Sequence, residues 1–301
     1  MRFVAFALLL PFVCSAQLVP DVRAAIARDD FPAAEKLVGD FRRQNGVSPE
    51  MLVGHSWLGR GALAQKRFDQ ADKYAAETRR MALDLLKGRK LDDEDRLPIA
   101  LGASIEVQAQ VLAGKGQRSE GISFLKKELA AWHGTSMRSR IQKNIHLLSL
   151  VGTTPPPLEW NEYIGTKPPS LAALKGNAVL LFFWAHWCPD CKYESGVLAQ
   201  LRDKYAAKGL MILGPTRYYG YTAGGVDATP EKEKPYIDKI RKEFYSGLTQ
   251  MPVPLSSEIF NIYGASTTPT LVLLDRKGIV RMYHPGRMTY EELANEIEKV
   301  L

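Results

Sequence analysis

From residue 21 to about residue 150 apolar side chains recur at three- and four-position spacing with few β-branched runs, which predicts helices throughout. The pattern changes after Thr153-Thr154-Pro155-Pro156-Pro157, where three prolines stiffen an extended segment and stop any helix. An almost wholly apolar run, Ala178 to Trp184, then reads as a strand buried on both faces. The later patterns predict a helix from 189 to about 207, a strand over 209–214 and a helix over 231–247. Strands over 270–275 and 279–283 and a helix over 289–301 complete the order. Arg217 to Thr229, rich in Tyr and Gly and without periodicity, reads as a long loop, and a loop of that length near the active end of a sheet is often functional.

The helical half carries a faint internal repeat. Phe31-x-x-Ala34, Phe68-x-x-Ala71 and the weaker Arg118-x-x-Gly121 each follow a turn-like stretch, and Leu58-Gly59 precedes Ala71. These offsets resemble the paired helices of tetratricopeptide repeats. The repeat is degenerate: Ala34 to Ala71 is 37 positions, Ala71 to Gly121 is 50, and the usual tyrosines are missing. The charged segment Lys87 to Asp95 is expected to form the loop that stretches the second interval. The predicted organisation is a signal segment (1–16), an all-α tetratricopeptide-like domain (17–150), a proline-rich linker (151–157) and an α/β domain (158–301). The helices offer a concave surface for a protein partner, or simply a bundle packed on the catalytic domain.

Composition narrows the class. The 301 residues carry 40 Lys and Arg against 33 Asp and Glu, and the basic residues are interleaved with acids rather than striped, so nucleic-acid binding is not expected. Arg2, the apolar run Phe3 to Val13 and Cys14-Ser15-Ala16 have the layout of a secretory signal peptide, too short to span a bilayer. Cleavage after Ala16 is favoured over lipidation of Cys14, because Pro11-Phe12-Val13 is bulky where a lipoprotein signal wants small residues. No further membrane-spanning segment is expected. Removal of Cys14 leaves Cys188 and Cys191, so an exported chain would keep its thiols only as one C-x-x-C pair, which points to chemistry rather than to a structural disulfide.

Cys188-Pro189-Asp190-Cys191 follows the apolar strand directly and opens the next predicted helix. The unpaired N–H groups and macrodipole at that helix start favour a thiolate at Cys188, while Cys191, one turn further in, is more shielded. Cys188 is the expected nucleophile on a substrate disulfide, and Cys191 the thiol that resolves the mixed disulfide. Pro189 fits the first helical turn. Asp190 opposes a thiolate by like charge and would favour a reductant, or points into water as an ordinary first-turn acid. A zinc site lacks a second ligand pair, and covalent haem attachment wants His where position 192 is Lys. No metal or cofactor is expected beyond the redox-active cysteine pair.

Trp187-Cys188-Pro189-Asp190-Cys191 resembles the W-C-x-x-C site of the thioredoxin superfamily. With Ser170 to Gly176, Cys191-Lys-Tyr-Glu194 and Thr268-Pro269-Thr270 followed by Leu271 to Gly278, residues 158–301 are similar to the TlpA-like extracytoplasmic thiol-disulfide oxidoreductases. The resemblance implies a thioredoxin-like fold, a cis-proline at Thr268-Pro269 facing the dithiol, and backbone pairing of Thr268 with an extended substrate segment. It also implies a proton-relay or orienting role for Glu194, with a surface acid as the alternative. Phe182 stands where many thioredoxins keep a buried acid, and Gly196 where the pattern has a helix-kinking proline. Trp184 is expected in the core and Trp187 as a partly exposed lid that contacts substrate. His186 reads as an exposed loop histidine, with tuning of Cys188 by its cation as the alternative. Arg217, Tyr218, Tyr219 and Tyr221 form either a substrate rim or, as favoured, a packed loop covering the sheet edge.

The reading that results is a periplasmic thiol-disulfide oxidoreductase acting on protein disulfides, reduction favoured over oxidation, and supplied with electrons by a membrane-bound donor. Its rivals are a partner-binding protein with a redox-sensitive scaffold and a thiol peroxidase on the same fold.

Overall fold

The structure, a computed structural model, describes residues 17–301; the expected signal segment, Cys14 included, lies outside the described residues. The chain divides into two compact units, one ending at Val111 and the other Leu112–Leu301. An all-helical N-terminal region precedes a mixed α/β sheet domain, as the hydrophobic pattern predicts.

The helices of the first region are α1 (Leu18–Ala27), α2 (Phe31–Asn45), α3 (Pro49–Ala64), α4 (Phe68–Leu85) and α5 (Arg96–Gly114), followed by α6 (Arg118–Ala131) and α7 (Arg138–Ser149). One turn recurs three times. The Asp30, Arg67 and Gln117 N–H groups donate back to the Ala25, Ala62 and Leu112 carbonyls, with left-handed Asp29, Lys66 and Gly116 just before them. Such closures satisfy the orphan carbonyls of a helix end and reverse the chain at once. Phe31, Phe68 and Arg118 each open the helix that follows, and Ala34, Ala71 and Gly121 are buried one turn in. In the first unit α3 is the central helix, because its glycines admit close neighbours: Gly54 faces Leu18 of α1, while Gly59 faces the backbone of Ala71 and Ala75 in α4. The α5 helix is long and apolar enough to cross a membrane by length and composition, where the sequence was expected to offer no further candidate, but most of that stretch is buried inside the protein, as a core helix is.

In the second unit the main sheet has the order β3-β2-β5-β6, from β2 (Ala178–Phe183), β3 (Leu210–Leu213), β5 (Thr270–Leu274) and β6 (Val280–Pro285). The β2 strand runs parallel to β3 and antiparallel to β5, which is antiparallel to β6. Strand alternation divides β2 between two cores. Ala178, Leu180 and Phe182 face α8 (Pro189–Tyr205), α9 (Pro230–Phe244) and α11 (Tyr290–Glu298); Val179, Leu181 and Phe183 face α10 (Ser257–Ile262) and Leu150, Leu158 and Leu174. Every residue of β2 is buried, the reason its pattern is continuous rather than alternating. Three short elements have no sequence forecast: β1 (Glu162–Ile164) pairs antiparallel with β4 (Val253–Leu255), and α10 follows β4 directly. Each is too short for its periodicity to stand out.

The proline segment is extended, as its prolines require, and it lies along the sheet. The Gly152 N–H donates to the Val280 carbonyl, the Val280 N–H to Thr153, and the Tyr263 hydroxyl to Pro156. Within the same unit α7 is tied to α10 by a two-point Arg138–Glu258 ion pair (2.9 and 2.6 Å) and by His146 Nε2 at 2.7 Å from the Ile262 carbonyl. Gly264 sits against the α7 backbone with φ +62°, where an added Cβ would lie 2.6 Å from the Lys143 Cα. Gly264→Ala is therefore expected to destabilise this unit by about 2–4 kcal/mol, through left-handed strain and forced overpacking. Chemical denaturation followed by tryptophan fluorescence reads this out; a loss below ~0.5 kcal/mol would mean that α7 is not held there.

Candidate functional site

The apolar demand on β2 ends at Phe183, and the next residues carry the chain from the covered sheet to the start of α8. Trp184 is fully buried and its indole N–H donates to the Gly214 carbonyl at 2.8 Å, so it locks the strand end to the end of β3. Trp187 instead is 47% exposed beside the cysteines. Cys188 is the N-cap of α8 and Pro189 opens its first turn. Cys188 and Cys191 are joined as a disulfide with Cα atoms 5.3 Å apart, both sulfurs shielded from solvent.

Cys188 Sγ accepts the Cys191 N–H at 3.1 Å and lies 3.4 Å from the Thr268 carbonyl oxygen. The Thr268-Pro269 bond is cis. The Thr270 hydroxyl donates to the Thr267 carbonyl at 2.6 Å and the Gly286 N–H to the Pro269 carbonyl at 2.8 Å, so this loop is fixed against the strand pair behind it. A helix N-terminus, a sulfur and an available backbone edge therefore meet at one point. An anion at Cys188 would gain from the N–H groups of the first turn, as anions at helix starts do.

Glu194 is buried one turn after Cys191 on the same helix and shares its inward face. Its two oxygens receive the Met288 N–H at 3.4 and 3.2 Å. Burial pushes its carboxyl up to about 7, with the Met288 N–H and the nearby Arg287 pulling down and Asp190 adding to the rise. Asp190 points outward from the first turn, with its carboxylate 3.9 Å from the Arg287 guanidinium; both side chains are more than half exposed. At that exposure its charge acts on the dithiol largely through water. Phe182 lies in the core under α8 against the Tyr245 ring, and α8 runs unbroken across Gly196. No group of His, Cys, Asp or Glu among the described residues is arranged to hold a metal ion.

His186 differs from the sequence expectation. It is buried, 1% exposed, and its Nε2 lies 3.3 Å from Glu233 of α9. Burial lowers its pKa, with Glu233 opposing. The rings of Tyr219, Tyr221 and Tyr236 stand edge-on around it at 5.2–5.4 Å. The Tyr-rich loop packs inward, as the favoured reading had it: Tyr218 and Tyr219 lie against the core, and the Tyr218 hydroxyl donates to Glu162 of β1 at 3.0 Å. Tyr219 also meets Trp187 edge-to-face at 5.6 Å, so the loop forms one wall beside the cysteines. Sequence reading misses Glu233, which looks like an ordinary acid in the first turn of a helix; only the two N–H groups converging on it mark it out.

A C-x-x-C at the N-terminus of a helix, a facing cis-proline and a sheet of this order define a thioredoxin-like domain. The family described as a thioredoxin-like domain matches residues 169–301 of this chain. Among curated relatives, the thiol-disulfide oxidoreductase ResA of Geobacillus thermodenitrificans is 26% identical over 151 residues, 50% of this chain and 78% of that protein. The thioredoxin-like protein YneN of Bacillus subtilis is 27% identical over 130 residues, covering 43% of this chain and 68% of its own length. Among solved structures, a thiol-disulfide isomerase from Corynebacterium glutamicum is 23% identical, with 48% of this chain and 96% of that chain aligned and a TM-score of 0.38.

The raised Glu194 carboxyl has a consequence for stability. The folded protein holds this proton more tightly than the unfolded chain, so the contribution is fully present below the ordinary value of 4.5 and is lost as pH rises through about 7. Glu194→Gln should remove a fall of at most ~3 kcal/mol across that window. Denaturation of wild type and variant at several pH values checks this; parallel curves would mean that the carboxyl titrates normally.

Proposed function

We propose that this protein is an exported thiol-disulfide oxidoreductase that reduces disulfides in protein substrates. The observation that carries the reading is the position of Cys188 Sγ, which receives a helix N-terminal N–H and sits beside the Thr268 carbonyl at a cis-proline. Relatives named thiol-disulfide oxidoreductase support the redox assignment. Export rests on the signal-like N-terminal pattern and on cysteine use confined, after cleavage, to the C-x-x-C pair.

In the reduced protein the Cys188 thiolate attacks one sulfur of a substrate disulfide; the S–S bond breaks, one substrate thiolate leaves, and a mixed disulfide forms. An extended substrate segment hydrogen-bonds to the backbone of Thr268, which aligns the sulfurs. Cys191 then gives its proton to Glu194 and attacks Cys188 Sγ; the mixed S–S bond breaks, and the second substrate sulfur leaves as a thiolate that takes up the proton from Glu194. Two electrons pass from the dithiol to the substrate, and Cys188 and Cys191 are left as the disulfide. A carboxyl that titrates near 7 suits it to take this proton at neutral pH. Regeneration requires an electron donor, which in an oxidising compartment we assign to a membrane-bound reductase. The recurring turns of the helical half and the buried small residues after them support tetratricopeptide-like hairpins, with protein recognition as their role.

The equilibrium potential of the Cys188-Cys191 pair against glutathione, followed by quenching of Trp184 and Trp187, tests the direction. A value near the thioredoxin end, roughly −270 mV, is expected, whereas one near −120 mV would make the protein an oxidant. Cys188→Ser should abolish protein-disulfide reduction, and rapid peroxide consumption dependent on Cys188 alone would transfer the assignment to a thiol peroxidase.

A further inference from the structure

Glu233 is a fully buried carboxylate outside the dithiol machinery, and its partners come from two other segments. Its oxygens accept the consecutive N–H groups of Tyr219 and Gly220 at 2.6 and 2.8 Å, and His186, two residues before Cys188, lies 3.3 Å away. Gly220 adopts φ +84°, which turns the two N–H groups toward one carboxylate. Removing a carboxylate from water is unfavourable by several kcal/mol unless its partners are well placed. The two N–H groups satisfy Glu233, while neither ring nitrogen of buried His186 makes a hydrogen bond of good geometry, so His186 adjoins the carboxylate by packing and proximity. The segments joined here are the stretch leading into the dithiol, the tyrosine-rich loop and the first turn of α9.

Side-chain hydrogen bonds also hold the loop: the Tyr218 hydroxyl donates to Glu162 and the Tyr219 hydroxyl lies 3.4 Å from the Trp184 carbonyl. Its regular structure is a Tyr221–Asp227 bridge and one 3-10 turn, Ala223–Gly225; Tyr219 stands against Trp187, and the Arg217 guanidinium covers the Tyr219 ring from 4.9 Å. We infer that His186 and Glu233 are positioning residues that hold the Tyr219 loop as a rigid wall beside Trp187, and that this wall selects protein disulfides over small ones. The reason is geometric. A protein disulfide must lay a length of chain across Cys188 and touch the wall, whereas a small disulfide needs only the sulfur. The inference rests on the oxidoreductase reading and names two residues that act through others.

The test compares reduction of insulin with reduction of oxidised glutathione by the full-length protein and its Glu233→Gln and His186→Gln variants. Each variant is expected to slow insulin reduction roughly tenfold, the equivalent of ~1.4 kcal/mol, through a higher KM. The glutathione rate and the dithiol potential should stay within about twofold of wild type, as for a site whose loss is uniform binding only. Tyr219→Leu, which removes the wall and keeps the buried pair, should slow insulin to the same degree and decides the matter should Glu233→Gln fail to fold. Equal slowing of both substrates, or an unchanged insulin rate in Tyr219→Leu, would overturn the inference. A wild type that reduces neither substrate removes the oxidoreductase reading and this inference with it.

Discussion

The site depends on the burial of β2 on both faces. Six consecutive apolar residues leave water together, each stabilising the fold at ~25 cal/mol per Å² of apolar surface buried. Pairing with β3 on one side and β5 on the other sets the register of the strand, so the point where it ends is fixed. Trp184 fastens that end to Gly214, and the chain must pass from there into α8. Cys188 is at the helix start because the enclosed strand delivers it there.

Polar groups near that point are handled in two ways. Charges that face water, such as Asp190 and Arg287, remain solvated and act weakly on the sulfur. Carboxylates that are buried, Glu194 and Glu233, each receive backbone N–H groups from another segment. Glu194 has only one such N–H, so burial prevails and its proton is held near neutral pH. Glu233 has two N–H groups and an imidazole beside it, an arrangement that fastens segments together. The same residue type is therefore met differently at the two places, by one N–H at Glu194 and by two at Glu233.

The helical half follows a simpler rule. Three closures of the same form reverse the chain after α1, α3 and α5, and small residues at the start of the next helix permit close packing. Left-handed Asp29 and Lys66 take the position that Gly116 occupies in the third turn. The geometry of the turn is thus kept although the residue that adopts it most easily is present only once.

Sequence alone determined the order of the long elements, the continuous burial of β2, the helix-opening position of Cys188 and the inward packing of Trp184. Each is a local matter of periodicity, or of an apolar run bounded by a turn. The loop over Arg217 to Thr229 was legible as a loop, but not its partner in α9. Tertiary structure decided that His186 is buried, that Glu233 gathers two N–H groups, and that β1, β4 and α10 form between the longer elements. It also laid the proline segment along β6 and bound α7 to α10. These features are made by residues far apart in the chain. An imidazole or a carboxylate looks alike in sequence whether it meets water or a protein donor, and only the packed fold brings that donor to it.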